Sequence, residues 1–231
     1  RLKHMHISGG TKPGKIGIDY PSLLNIFDTE DVVVEGVSFH DISGAENVLH
    51  ATYVEKLRLN EVDIRQAPVD GVDLEFTDGA IRGLHVLGAG DDCLDLMGVD
   101  LIVADSILQS CNSNAVSVGE ESDVNAQGLF LSDSETGVLA KNNSHIRLSR
   151  SLIYGTATAL ETKLREKHYV GDSSIGASDL YAVACKQVIK RARGSRIEVD
   201  QMRRALPTNG ALAHLARNVL GLPEWSEFGV Y

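Results

Sequence analysis

Apolar residues recur along this chain at a fixed interval. Val72, Leu94, Val116, Val138 and Leu160 stand 22 residues apart, and the column two positions on, Leu74, Leu96, Val118, Ala140 and Thr162, keeps the interval and stays mostly apolar. A third set, Ile64, Val86, Leu108, Phe130 and Leu152, repeats it. Within each repeat apolar and polar residues alternate over short stretches, as in strands buried on one face. A repeat this short cannot bury its apolar face alone and must stack on its neighbours. The pattern predicts an all-β solenoid, a right-handed parallel β-helix of about seven coils with about 22 residues per coil and equivalent residues about 4.8 Å apart.

Small residues occupy one further column, Gly71, Cys93, Ala115, Gly137 and Ala159, where a strand starts after a tight bend. Coils are legible from Val32, Val33, Val34, Val37 and Phe39 onward, with a longer step near residue 51. The register reads as constant between residues 55 and 163. A charged stretch containing Gly and Ser, near 164–178, predicts a loop inserted off one coil, suited to a lid or binding loop. Strand-like segments resume at 180–188 and 196–199. After Pro207, the run Thr208, Asn209, Gly210 leads into Leu212, Leu215, Ala216 and Val219, a capped amphipathic helix able to cover a solenoid end. The expected division is a β-helix over 1–205 and a C-terminal helical cap over 206–231.

Composition agrees with flat strands: among 231 residues only 5% are aromatic and 22 are glycine. A formal charge of −10 and an isoelectric point near 5.2 disfavour nucleic acid and anionic membranes as partners. No run of 18 apolar residues exists, so no membrane span is expected. The chain opens with Arg1 inside an apparent strand, so it is expected to be a piece of a larger multidomain protein. Cys93, Cys111 and Cys185 lack metal-type spacing and are expected to be buried free thiols.

Strand alternation turns the residue between the two apolar columns outward, and that column reads His50, Asp73, Asp95, Ser117, Leu139 and Glu161. Two positions on come Glu75, Met97, Gly119, Lys141 and Lys163, and just before the strands lie Asp70, Asp91 and Asp92. Asp70, Asp73, Asp91, Asp92 and Asp95 are the candidate acid and base groups, because like charges on adjacent coils drive pKa values apart. Carboxyls about 5 Å apart suit retaining glycoside hydrolysis and wider ones suit inversion. Acids at coil bends also hydrogen-bond backbone amides and form a solvated ladder, and that reading stands beside the catalytic one.

His50, Glu75, Lys141, Glu161 and Lys163 are candidate substrate-binding residues, the lysines as partners for substrate carboxylates or as proton abstractors. Asp95 with Glu120 and Glu121 is a candidate Ca²⁺ site; otherwise no cofactor is implied. The basic set Lys186, Lys190, Arg191, Arg193 and Arg196 suits a polyanion or an exposed coil face.

At Val69, Asp70, Gly71, Val72, Asp73 and at Gly90, Asp91, Asp92, Cys93, Leu94, Asp95 the chain resembles the pectin-lyase-like superfamily of parallel β-helices, and locally its polygalacturonase-type glycoside hydrolases. That resemblance implies inverting hydrolysis by three aspartates, matched here by Asp70, Asp91 and Asp92. The family's Gly-His-Gly motif would fall near Asn114 and Ala115, where no His stands, and its Arg-Ile-Lys motif is echoed by Ala140 and Lys141. From about residue 2 to 174 the chain also resembles bacterial right-handed β-helix repeat proteins found beside spore-coat-type kinase domains. The similar segments are 90–97, 117–122, 141–146 and 160–171. The resemblance implies an extracellular or periplasmic role on polysaccharide. Three readings follow: a carboxylate hydrolase, a lyase using Lys with Ca²⁺, and a non-catalytic solenoid that binds glycan or protein.

Overall fold

Seventeen β-strands and no helix form among the described residues of the computed structural model, which are 1–9, 22–164 and 166–204. In chain order they are β1 (Leu2–Ser8), β2 (Leu24–His40), β3 (Leu49–Ala67), β4 (Val72–Glu75), β5 (Gly79–Ala89), β6 (Leu94–Met97), β7 (Asp100–Ala104), β8 (Ile107–Cys111), β9 (Asn114–Gly119), β10 (Asp123–Gln127), β11 (Phe130–Ser132), β12 (Thr136–Ala140), β13 (His145–Tyr154), β14 (Thr158–Thr162), β15 (Ser174–Val183), β16 (Gln187–Arg191) and β17 (Arg196–Arg203). The pairings run parallel, each strand bonding to its equivalent one coil away, which makes the chain a parallel β-solenoid. The expected C-terminal helix, 206–231, lies outside the described residues.

Three stacks of inward side chains make the core. The first runs Leu24, Leu49, Val72, Leu94, Val116, Val138, Leu160 and Ile189, which marks eight levels where the repeat alone indicated about seven. The second passes from Val34 and Leu59 through Ile81, Val103, Ala126 and Leu148 to Ala177 and Val199. The third passes through Phe39, Ile64, Val86, Leu108, Leu131, Ile153 and Ala182. All of these except Leu24, Ile189 and Val199 are buried, and such a stack of apolar side chains is the main stabilising feature of the fold.

The third stack departs from the sequence expectation by one residue. Leu108 pairs with Leu131, so Phe130 stands opposite Ile107 and leaves the inward column with Leu152. Met97 still pairs with Gly119, but Asp100 pairs with Asp123, so the extra residue enters at the turn carrying Glu120 and Glu121. Both adopt left-handed backbone, with φ of 56° and 65°. The offset is removed again before Thr136, which pairs with Asn114. Alternation could not reveal this slip, because 130–131 and 152–153 are apolar at both positions.

The small-residue column is a steric requirement. A Cβ on Gly71 would lie 2.6 Å from the carbonyl oxygen of Cys93, and one on Gly137 would lie 2.7 Å from that of Ala159. Cys93 shares this column, but it is not a free thiol as expected: it is disulfide-bonded to Cys111, Cα to Cα 5.5 Å. Cys111 pairs with Ala89, which precedes Cys93 across one corner, so the cysteine of the next coil arrives beside it. Spacing along the chain hides a contact made between coils. Cys185 is a half-buried free thiol.

The outward column of the first face is also less open than alternation implied. His50, Ser117, Leu139 and Glu161 are buried, at 7%, 0%, 2% and 5% exposure, while Asp73 and Asp95 are half-buried. The inserted segment lies between the end of β14 at Thr162 and the start of β15 at Ser174, so β15 begins within the stretch expected to be loop.

Candidate functional site

The acids gather where the first face begins. Asn47, Asp70, Asp92 and Asn114 occupy equivalent corner positions on four successive coils and form a ladder. The Asp70 backbone N–H donates to Asn47 Oδ1 at 3.3 Å, and the Asp92 N–H donates to Asp70 Oδ1 at 2.9 Å. Asn114 donates to Asp92 Oδ1 twice, from its backbone N–H at 2.8 Å and its side-chain amide at 2.7 Å. The expected bend ladder is thus present, but it uses one oxygen of each carboxyl.

These bonds do not hold the carboxyls in the ordinary range. Burial pushes Asp70 up to about 7, with the charges of Asp95, Asp92 and Asp91 adding to it and the Asp92 N–H opposing it. Burial likewise pushes Asp92 up to about 6 against the two bonds from Asn114. Asp73 rises to about 8 through burial and then the charges of Asp95, Glu75 and Asp70, although the Asn47 amide donates to its Oδ2 at 2.7 Å. Asp91 is exposed at the corner, and Asp95 Oδ1 accepts the N–H of Leu96 at 3.1 Å. Groups able to hold and release a proton near neutrality therefore share one strip with acids open to water.

His50 lies directly below Asp73 in the parallel register, with Asn25 below it in turn, and Thr52 lies below Glu75. His50 Nε2 stands 3.9 Å from both Asp73 Oδ2 and Glu75 Oε1, beyond hydrogen-bond range. The Phe27 ring meets the imidazole edge-on, centroids 5.4 Å apart and planes at 77°. Burial lowers the His50 pKa, partly offset by Glu75.

The other expected site residues lie farther along the solenoid. Lys141 folds its stem over Gly119, whose Cβ would lie 2.7 Å from Lys141 Cε, and Lys163 is exposed. Glu161 is buried and paired with Lys190 at 2.9 Å, which makes it a structural anchor. Glu120 Oε1 accepts the Asn142 amide at 2.7 Å, and Asn142 Oδ1 accepts the backbone N–H of Glu166 at 2.9 Å, fastening the inserted loop to the coil. Asp95, Glu120 and Glu121 do not form a ligand group; among the described residues, the group of three His, Cys, Asp or Glu whose ligand atoms all lie within 4.8 Å of one another is His50, Asp73 and Glu75. Sequence reading passed over Asn47 and Asn114, though their spacing of 23 and 22 residues from Asp70 and Asp92 marked them. It also passed over Asn25, Thr52 and Phe27, because they precede the regular repeat.

The fold and this strip define an acidic-faced parallel β-solenoid. The chain matches no family model, no curated protein and no solved structure.

Proposed function

We propose that the chain binds an extended, uronate-rich polysaccharide along its first face and hydrolyses it, with Asp70 and Asp92 as the acid–base pair. The observation that carries this reading is the stacking of these two carboxyls on adjacent coils, each held by one oxygen and each raised toward neutrality, to about 7 and about 6. At neutral pH such a pair supplies a protonated and an ionised carboxyl side by side, as glycoside hydrolysis requires. Asp91, Asp95 and Asp73 flank the pair. Lys141 and Lys163, at the other end of the face, supply local cations for substrate carboxylates on a chain that is acidic as a whole. The local resemblance to polygalacturonase-type hydrolases directs the choice of substrate. The Cys93–Cys111 disulfide supports an extracellular or periplasmic setting, where such bonds persist.

A second reading is favoured by the ladder itself. Asp70 and Asp92 each support a neighbouring backbone N–H, so they also fit a non-catalytic glycan- or protein-binding solenoid. Incubation with a panel of plant, algal and bacterial polysaccharides, with and without Ca²⁺, separates the readings. Reducing ends without unsaturated uronates support the hydrolase, both signals together support a lyase working through lysine, and binding without turnover supports the scaffold.

A further inference from the structure

The first three levels of the solenoid bring together more unpartnered polar atoms than a folded interior normally leaves. His50 Nδ1 and Nε2, Asp73 Oδ1, Asn25 Oδ1 and Thr52 Oγ1 are all buried and without a hydrogen-bond partner. They belong to two adjacent outward columns, Asn25–His50–Asp73 and Thr52–Glu75. The His50 side chain is nine-tenths buried, at 9% exposure, and its Nε2 is aimed between Asp73 Oδ2 and Glu75 Oε1.

We propose that His50, Asp73 and Glu75 bind one divalent transition-metal ion. Their ligand atoms all lie within 4.8 Å of one another. Two ligands each about 2.1 Å from one ion stand about 3.0 Å apart at a right angle and about 4.2 Å apart when opposed. The two 3.9 Å separations at His50 Nε2 fall inside that range and outside hydrogen bonding, the spacing of groups arranged around a common centre. One imidazole nitrogen with two carboxylates favours zinc, cobalt, nickel or iron over calcium and magnesium, which prefer all-oxygen shells. The two carboxylates neutralise the ion. Asn25 Oδ1 and Thr52 Oγ1, both without a hydrogen-bond partner, stand one coil below His50 and Glu75 in the same columns. Outer support is also present: the Asn47 amide donates to Asp73 Oδ2 at 2.7 Å, and the Phe27 ring packs in a T-shaped contact with the imidazole. The ion would tie β3 to β4, clipping two coils together near one end of the solenoid. This site does not depend on the hydrolase reading.

The test uses the full chain, stripped with a chelator and dialysed, then titrated with Zn²⁺, Co²⁺, Ca²⁺ and Mg²⁺ by calorimetry, with Co²⁺ also followed by its visible absorption. The expected result is one saturable Zn²⁺ or Co²⁺ site, an absorption band from nitrogen-ligated Co²⁺, and a rise in Tm on loading. His50→Ala and Glu75→Gln should each weaken binding at least 10-fold and abolish the Tm rise. Glu75 is partly exposed, so Glu75→Gln keeps the test decisive where His50→Ala fails to fold. Absence of a saturable site overturns the proposal. So does wild-type affinity in Glu75→Gln, which would place bound metal on other groups, and so does Ca²⁺ or Mg²⁺ binding as tight as Zn²⁺.

Discussion

Asp70 Oδ1 accepts the backbone N–H of Asp92 at 2.9 Å, so one carboxyl both joins two coils and stands in the acid strip. The two roles use different chemistry. An amide oxygen can accept the same N–H, but an amide cannot exchange a proton near neutral pH.

Asp70→Asn and Asp92→Asn therefore separate ladder from catalyst. Each should keep the fold and lower polysaccharide hydrolysis by about 10²–10⁴-fold, the usual contribution of a general acid or base. Reducing-end release measured beside circular dichroism checks this. Unchanged turnover in both variants would assign the aspartates to structure alone.

The raised carboxyls also set a pH dependence of stability. Folded Asp70 and Asp92 titrate near 7 and 6, above the ordinary 3.8, so between those limits the folded chain binds more protons than the unfolded one. Their contribution is fully present below about pH 4 and is lost as pH rises through 6 and 7. Tm measured in chelator should fall from pH 5 to pH 8, and Asp70→Asn should flatten that fall. A Tm that climbs equally in both proteins over this window would contradict the burial of these groups.

The disulfide closes a loop of 18 residues between Cys93 and Cys111. Replacing both cysteines by alanine should cost about 3 kcal/mol, the value for a loop of this size. For a chain of this length that corresponds to a drop in Tm of about 6–12 °C. Thermal melts with and without reductant, on the wild type and the double variant, check it: the reductant should shift only the wild type.

Asn142 holds the inserted loop through Glu166 and the 120–121 turn through Glu120, from a left-handed backbone with φ of 54°. Asn142→Gly keeps that backbone accessible but removes both side-chain bonds. It should speed proteolytic cleavage within 163–173 several-fold while the rest of the chain stays protected. Asn142→Ala should add about 1 kcal/mol of backbone strain to the same effect. Mass spectrometry of limited digests reads the cleavage site.

Much of the architecture was legible in the chain itself. A repeat of 22 with internal alternation specifies stacked parallel strands, because residues one repeat apart must share a column, and the stack Val72, Leu94, Val116, Val138 and Leu160 follows directly. The column His50, Asp73, Asp95 and the corner acids Asp70 and Asp92 followed from the same phase. Only the tertiary structure decided the rest. The one-residue slip at Glu120–Glu121 was silent because both phases of 130–131 are apolar. The Cys93–Cys111 bond joins a corner to the coil beyond it, a contact that depends on where the turns fall and not on spacing. Burial of His50, Asp70 and Asp73, which sets their proton affinity and leaves the imidazole aimed between two carboxylates, is a property of a face closed in three dimensions; alternation says only which way a side chain points, and not how much water reaches it.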